Sequence, residues 1–239
     1  MTSRDETRTA EDNRAMKLLI VGYGKMGRMV EALAPEQGFE IVGRVDVGRD
    51  EWTTADVAID FTNAEAVEAN FQKYVDRSIR VVIGTTGWSR VSRTLQAAAV
   101  SSSLGVVASA NFSIGANLFQ ILVEDAARLM KAHPQFGAWI HEAHHSTKID
   151  APSGTALTLR DAMVGAGYDR PIDMSSTRAG SIPGIHTIGF DGPSDTIELT
   201  HTARDRRGFA AGALLAARWI QGRTGWYSMQ DVLRGPTPS

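Results

Sequence analysis

The apolar run Lys17-Leu18-Leu19-Ile20-Val21 passes directly into Gly22-Tyr23-Gly24-Lys25-Met26-Gly27. A short, continuously apolar segment of this kind is a strand of a parallel sheet covered on both faces. The residues from Arg28 to Leu33 then continue as a helix. Strand, G-x-G-x-x-G, helix is the order that a dinucleotide fingerprint requires. Gly22 permits the tight turn, Gly24 lets a pyrophosphate approach the backbone, and Gly27 brings the helix against the strand. Phe39 to Val45 read as the next strand and end in Asp46, nineteen residues past Gly27. An acid at that distance binds the adenosine ribose hydroxyls. The bland alternative is an ordinary βα turn with an unrelated surface aspartate, and the two parts together argue against it.

The cofactor expected is therefore NADH or NADPH. A carboxylate at Asp46 accepts from a 2′-hydroxyl and repels a 2′-phosphate, which favours NADH. Arg44 and Arg49 lie close enough in sequence to compensate. Beyond Asp46 the βα rhythm continues, with strands at Val57–Phe61, Arg80–Ile83 and Gly105–Ala108. Thr62 and Asn63 are suited to cap the helix from Ala64 to Tyr74, and Trp88 to Val100 supply another helix. In open parallel sheets ligands sit beyond the carboxyl ends of the strands. Gly84, Thr85 and Thr86 occupy one such end, and Ser109, Ala110, Asn111 and Phe112 another, so these seven are expected cofactor contacts with Gly22 to Gly27 and Asp46. The stretch between Gly48 and Val57 is short.

The second half has a different rhythm. A long helix is expected from Ser113, with Leu118, Ile121, Leu122, Ala126, Leu129 and Met130 on its apolar stripe, ending at His133-Pro134. Phe136, Ala138 and Ile140 alternate with Gly137, Trp139 and His141 as a strand. The segment from Gly165 to Gly184, rich in Gly, Pro, Ser and Asp, reads as a loop lining or covering a site. Two strands joined at Asp191-Gly192-Pro193-Ser194 follow. The architecture expected is α/β: a Rossmann-like dinucleotide-binding domain over residues 16–111, completed by 216–239, and an α+β domain with a mostly antiparallel sheet over 112–215.

The chemistry is expected in the run Glu142-Ala143-His144-His145-Ser146-Thr147-Lys148-Ile149-Asp150-Ala151-Pro152-Ser153-Gly154-Thr155-Ala156-Leu157. Pro152 to Thr155 have the makings of a helix start, where free N–H groups and the helix dipole favour an anion. Lys148 adds a full positive charge, and a histidine exchanges protons near neutrality. A carboxylate or phosphate is the expected guest beside a proton donor. A lone His next to a Lys is ordinarily surface, but two histidines, a lysine and a glycine-softened helix start within a dozen residues are not that pattern. A zinc site would need His141, His144 and His145 on one helical face. The strand alternation, the absence of cysteine and the closing Pro152 stand against it, and no metal is expected.

This run resembles the signature of the dihydrodipicolinate (4-hydroxy-tetrahydrodipicolinate) reductase family, Glu-x-His-His-x-x-Lys-x-Asp-x-Pro-Ser-Gly-Thr-Ala. The resemblance extends from about Leu18 to Leu233. It implies reduction of 4-hydroxy-tetrahydrodipicolinate, a small cyclic dicarboxylate, to tetrahydrodipicolinate with NAD(P)H, in lysine and diaminopimelate biosynthesis. It implies His144 and Lys148 as the acid/base pair, and His145, Ser153, Gly154 and Thr155 as substrate contacts, with the substrate between the domains. It supports the cofactor contacts above, and it implies that the last segment packs on the cofactor domain. Family members that take both cofactors often carry a basic residue directly after the acid, where this chain has Val47. The stretch between Gly48 and Val57 is shorter than in many family members, and a helix is expected to be missing there. Arg206 matches a family position associated with the substrate but stays outside the expected set, as do His186 and His201, since a lone strand histidine is ordinarily a satisfied polar residue. A cytoplasmic homo-oligomer, commonly a tetramer, is the family's assembly. The rival readings are another nicotinamide enzyme, such as an aspartate-type amino-acid dehydrogenase, and a catalytically silent nucleotide sensor.

Composition narrows partners. Twenty-five Lys and Arg against 27 Asp and Glu give a net charge of −2, which offers neither a nucleic-acid glove nor a polybasic membrane patch. The absence of cysteine removes disulfides and thiolate chemistry and fits a reducing compartment. Met1 to Ala15 are polar and charged with no apolar centre, and are expected as a disordered leader.

Overall fold

The computed structural model describes residues 14–235, so nearly all of the leader expected over Met1 to Ala15, and positions 236–239, lie outside the described residues. The chain forms two compact units: one runs to Phe112 and resumes at Phe209, and the other is Ser113–Gly208.

The first unit carries β1 (Met16–Val21), α1 (Lys25–Leu33), β2 (Phe39–Asp46), β3 (Arg49–Asp50), β4 (Val57–Asp60), α2 (Ala64–Arg77), β5 (Arg80–Ile83), α3 (Ser92–Ser101) and β6 (Gly105–Ala108). Its seven-stranded sheet runs β11-β6-β5-β4-β1-β2-β3, with β11 at Gly225–Tyr227. All its pairings are parallel except β2 with β3. Leu18 to Val21, Val57 to Ile59 and Val81 to Ile83 are buried to within 1% of completely, as apolar strands flanked on both faces must be. Residues 49–56 hold only the two-residue β3, in keeping with the helix expected to be missing. Gly22 has φ +88, and a Cβ there would lie 2.3 Å from the Phe61 carbonyl oxygen. A Cβ on Gly27 would lie 2.2 Å from the Gly22 oxygen, so α1 touches the turn that feeds it. Both glycines are sterically obligatory.

The second unit carries α4 (Ile114–Met130), β7 (Gly137–His144), α5 (Gly154–Gly165), β8 (Ile172–Arg178), β9 (Ile185–Asp191) and β10 (Thr196–Thr202). Its sheet runs β10-β9-β7-β8, antiparallel except for β7 with β8. Phe119, Val123 and Ala127 of α4 and Ala156, Leu159 and Met163 of α5 pack with Ile140, Ile188 and Phe190 of the sheet. No described helix is long and apolar enough to cross a membrane.

Three expectations are corrected. Gly165 to Gly184 is not simply a loop, because β8 occupies its middle. Only Ile172 and Met174 alternate with polar residues, and Ser175, Ser176 and Thr177 end the pattern too soon for it to announce an edge strand. The stripe expected on α4 is only partly right: Ala126 and Met130 pack against the core, but Leu118, Leu122 and Leu129 are exposed, and the most buried positions are Phe119, Val123 and Ala127. A helix apolar on several sides does not declare which face is buried. The boundary expected at 216 falls inside α6 (Arg207–Trp219), whose residues from Phe209 onward go with the first unit. After it, β11 pairs with β6, and α7 (Met229–Arg234) closes the chain.

At the carboxyl end of β4, the fully buried Asp60 accepts from the Thr62 amide (3.0 Å) and hydroxyl (2.6 Å), Thr85 Oγ1 (2.9 Å), Asn70 (3.2 Å) and Tyr74 (2.8 Å). One side chain thereby fixes the loops that follow β4 and β5 onto α2. Tyr74→Phe, which deletes one donor and leaves the ring, is expected to lower unfolding free energy by about 1–3 kcal/mol. Urea denaturation measures this, and unchanged stability would show that the cluster does not depend on that bond.

Candidate active site

In the first unit the glycine turn opens onto a groove of about 440 Å³ lined by Gly22, Gly24, Asp46, Val47, Thr62 and Lys73. A Cβ on Gly24 would meet no protein atom within 4 Å, so its freedom faces the groove. Tyr23 and Gly24 form the turn, while Lys25, Met26 and Gly27 open α1, whose unsatisfied N–H groups suit a pyrophosphate. Asp46 is exposed at the groove, with Oδ1 accepting from the Val47 amide at 2.9 Å. A second cavity, of about 280 Å³, is lined by Thr85, Thr86, Trp88, Ser109, Ala110 and Trp226. These surfaces fit a nicotinamide dinucleotide. The side chains of two expected contacts turn inward, although Thr85 still borders the second cavity. The Thr85 hydroxyl is committed to Asp60, and Phe112, 1% exposed, packs edge-on against Phe61 at 6.3 Å. Gly84 faces the same ring, since a Cβ there would overlap Phe61. Asn111 shares a turn with Ser109, whose hydroxyl accepts from the Asn111 amide at 3.2 Å and donates to its carbonyl at 2.8 Å.

Three basic residues around Asp46 are already paired. Arg44 Nε donates to Glu31 at 2.7 Å, and Tyr23 also donates to Glu31. The Arg44 guanidinium holds the Glu31 carboxyl below its usual range. Arg49 pairs with Glu51 at 2.9 Å, and Lys73 with Asp50 at 3.3 Å.

In the second unit, β7 alternates Ala138, Ile140 and Glu142 inward, so a carboxylate occupies the third apolar position. Arg178 of β8 grips both its oxygens, at 2.9 and 2.7 Å. His144, next on that face, places Nδ1 2.5 Å from Glu142 Oε2. The Ser153 amide donates to Glu142 Oε1 at 3.2 Å, and the Ser153 hydroxyl caps α5 by accepting from Ala156 N–H at 3.2 Å. His186 of β9 meets that hydroxyl at 3.1 Å and stands edge-on to His144, with ring centroids 5.1 Å apart. Burial is the largest single influence on Glu142 and opposes its ionisation. The Arg178, Ser176 and His144 side chains together outweigh it and hold the carboxyl at about 2. Burial, aided by His144, lowers His186 to about 4 and keeps it neutral.

The strand, loop and helix start thus bring His144, Lys148, Ser153, Gly154 and Thr155 into one unit. Lys148 Nζ pairs with Asp150 Oδ1 at 2.7 Å, and Asp150 Oδ2 accepts from the Gly154 amide at 3.3 Å. An internal carboxylate therefore rests where a guest carboxylate was expected, held below its usual range first by Lys148. His145 is exposed and bonds Thr147 at 2.7 Å, whereas Ser153 is 1% exposed. His141 bonds Ser175 at 2.9 Å and does not join His144 and His145 in a zinc-like cluster. A different trio, Glu142, His144 and His186, brings donor atoms within 4.8 Å of one another. A cation there would compete with Arg178 for the same carboxylate. His201 is half-buried and stacks on Phe119, and Arg206 is exposed. Sequence reasoning placed Glu142 and Asp150 in the family signature without giving either a role, and it missed Arg178. Glu142 carried a signal, an acid in the inward phase of a strand, but Arg178 carried none.

The depressed His186 gives a signed pH dependence. Between about 4 and 6.5 the unfolded chain binds a proton at this residue that the folded chain refuses, so stability falls as pH drops through that window. Lowering pH from 7 to 5 is expected to cost about 2 kcal/mol from this residue. His201, also lowered by burial, adds in the same sense, whereas Glu142 acts only as pH falls below 4.5. Urea midpoints at both pH values should show the loss, and His186→Asn should reduce it. An equal loss in the variant would assign it elsewhere.

Comparison with known proteins gives a consistent picture. The family model described as dihydrodipicolinate reductase, C-terminus, matches residues 115–233, and the N-terminus model matches residues 49–112. A 4-hydroxy-tetrahydrodipicolinate reductase of Christiangramia forsetii is 33% identical over 233 residues, covering 91% of this chain and 98% of that protein. Its counterpart from Neisseria gonorrhoeae (strain NCCP11945) is 39% identical over 198 residues, 75% of this chain and 72% of that protein. The fold is shared with dipicolinate-bound dihydrodipicolinate reductase from Paenisporosarcina sp. TG-14, at TM-score 0.77 and 21% identity over 89% of this chain and 97% of that one. With both family models and a full-length relative in agreement, the chain belongs to the dihydrodipicolinate reductase family.

Proposed function

We propose that this protein reduces 4-hydroxy-tetrahydrodipicolinate to tetrahydrodipicolinate, with His144 and Lys148 as proton donors. The observation that carries the reading is the arrangement of the family's signature. One strand, loop and helix start hold an imidazole, an ammonium and an anion-suited set of backbone N–H groups together. The reaction consumes one hydride and one proton and releases the 4-hydroxyl as water. A bound reduced nicotinamide supplies the hydride. His144 and Lys148 deliver the proton to the ring as it takes up charge. A substrate carboxylate lies on the Gly154 and Thr155 amides, displacing or sharing the donors that Asp150 now takes. His145, on the exposed side of the loop, contacts the substrate as a donor. The Ser153 hydroxyl, being inward, acts through the cap rather than by touching the ligand.

NADH is the preferred donor on this reading. Asp46 is exposed to receive ribose hydroxyls, and Arg44, Arg49 and Lys73 are each engaged by a carboxylate rather than open to a 2′-phosphate. A cytoplasmic homotetramer, built on the sheet face of the second unit that α4 and α5 leave uncovered, belongs to the same proposal through the family.

A coupled assay with freshly generated substrate, following loss of reduced-nicotinamide absorbance, tests the activity. His144→Gln and Lys148→Ala should each lower turnover by about 10²–10⁴, with cofactor affinity nearly unchanged. Wild-type turnover in both would overturn the assignment. Glu31→Gln should release Arg44 and raise the NADPH-to-NADH ratio of kcat/KM about tenfold, the worth of one charge-assisted contact of roughly 1.4 kcal/mol. Initial rates with the two cofactors measure this, and an unchanged ratio would refute the masking role of Glu31.

A further inference from the structure

The fully buried Glu142 hydrogen-bonds to both halves of the candidate chemistry. One oxygen meets His144 Nδ1 at 2.5 Å, and the other accepts from the Ser153 amide at 3.2 Å, at the start of the helix suited to an anion. Arg178 closes the arrangement: its guanidinium holds both oxygens and also donates to the Asp150 carbonyl at 2.5 Å, which ties the intervening loop to the same point. An ionised carboxylate only accepts, so the proton between Glu142 and His144 belongs on Nδ1. The other ring nitrogen, Nε2, then points away from Glu142. It lies toward Gly184 (φ +125), where an added Cβ would come within 3.3 Å of it. His186, edge-on at 5.1 Å, limits rotation of the ring.

We propose that Glu142 is a positioning residue that fixes His144 with Nδ1–H inward and Nε2 as the proton-exchanging atom, and holds that atom in register with the Ser153–Thr155 helix start. This deepens the reading of His144 as proton donor and rests on it. The groups around His144 are Glu142 on its own strand, Arg178 on β8, neutral His186 on β9, and Lys148 and Asp150 on the loop. His201 on β10 acts through His186. The two ion pairs cancel locally. Replacing Glu142 by a neutral residue therefore leaves the Arg178 charge unmatched beside His144 and removes the acceptor that holds Nδ1–H inward.

Glu142→Gln is expected to lower turnover at least tenfold while KM changes less, and Glu142→Asp should recover part of the loss. A purely structural role would lower the melting temperature and the active fraction but leave turnover per active site where it was. A folded Glu142→Gln variant with wild-type turnover would overturn the proposal. Because unpairing Arg178 endangers folding, a second measurement uses the wild-type protein. With ¹⁵N-labelled histidine, the resonance lost in His144→Gln should report the Nδ1–H tautomer when neutral, and an Nε2–H tautomer would equally overturn it. The tautomer reports on Glu142 whatever reaction occurs, whereas wild-type turnover by His144→Gln would sink the catalytic reading alone.

Discussion

A carboxylate sealed from water must be matched by charge and hydrogen bonds, because an unpaired one costs far more than a fold of this size can absorb. Glu142 imposes that requirement on the second unit. Its position on β7 makes sense only if a cation arrives from the neighbouring strand. The parallel register that sets His144 opposite Arg178 supplies it. The same guanidinium reaches the Asp150 carbonyl, and the same carboxylate reaches the Ser153 amide. Residues 145–152 are thus fastened at both ends, although almost nothing apolar holds them. A loop that presents polar atoms to a guest cannot be made rigid by burying its own side chains. Here the rigidity comes from one buried ion pair beneath it.

The first unit solves the same problem with a related device. Asp60, at the carboxyl end of a central strand, gathers donors from the loops beyond β4 and β5 and from two side chains of α2. Thr85 contributes its hydroxyl to this cluster, which is why a residue at a ligand-facing strand end has its side chain turned inward. The two acids differ in partner. Asp60 is met by amide, hydroxyl and phenol donors, whereas Glu142 is met by a guanidinium and shares an oxygen with an imidazole. Only the second arrangement bears directly on a group that can exchange a proton.

Much of this was legible along the chain. The apolar run before Gly22 identified a central strand, and steric necessity at Gly22 and Gly27 agrees with the turn read there. The alternation Ala138, Ile140 continued into Glu142 and His144, so the face of the histidine was implied by its spacing. Other features were not legible. β8 is an edge strand with polar residues at most positions, and edge strands owe their existence to a neighbour's unpaired backbone rather than to their own pattern. The exposed leucines of α4 looked like a core stripe because periodicity identifies faces without ranking them. Ser153 was read as a ligand contact, yet its hydroxyl is shared between a helix amide and a buried imidazole. Asp150 stands in the family signature, but nothing in its spacing shows that its carboxylate takes up Lys148 and the helix start.

The sequence by itself determined the dinucleotide-type turn, the two-part organisation, and the clustering of histidine, lysine and helix start within one segment. These follow from interactions spanning a few residues: steric limits at glycine, capping, and the period of strands and helices. Only the tertiary structure decided which nitrogen of His144 is fixed, and which cations near Asp46 are already engaged. It alone joined Glu142 to a cation 36 positions away. Such pairings depend on strand register and on which groups are sealed from water together, and neither quantity is encoded in any local stretch of the chain.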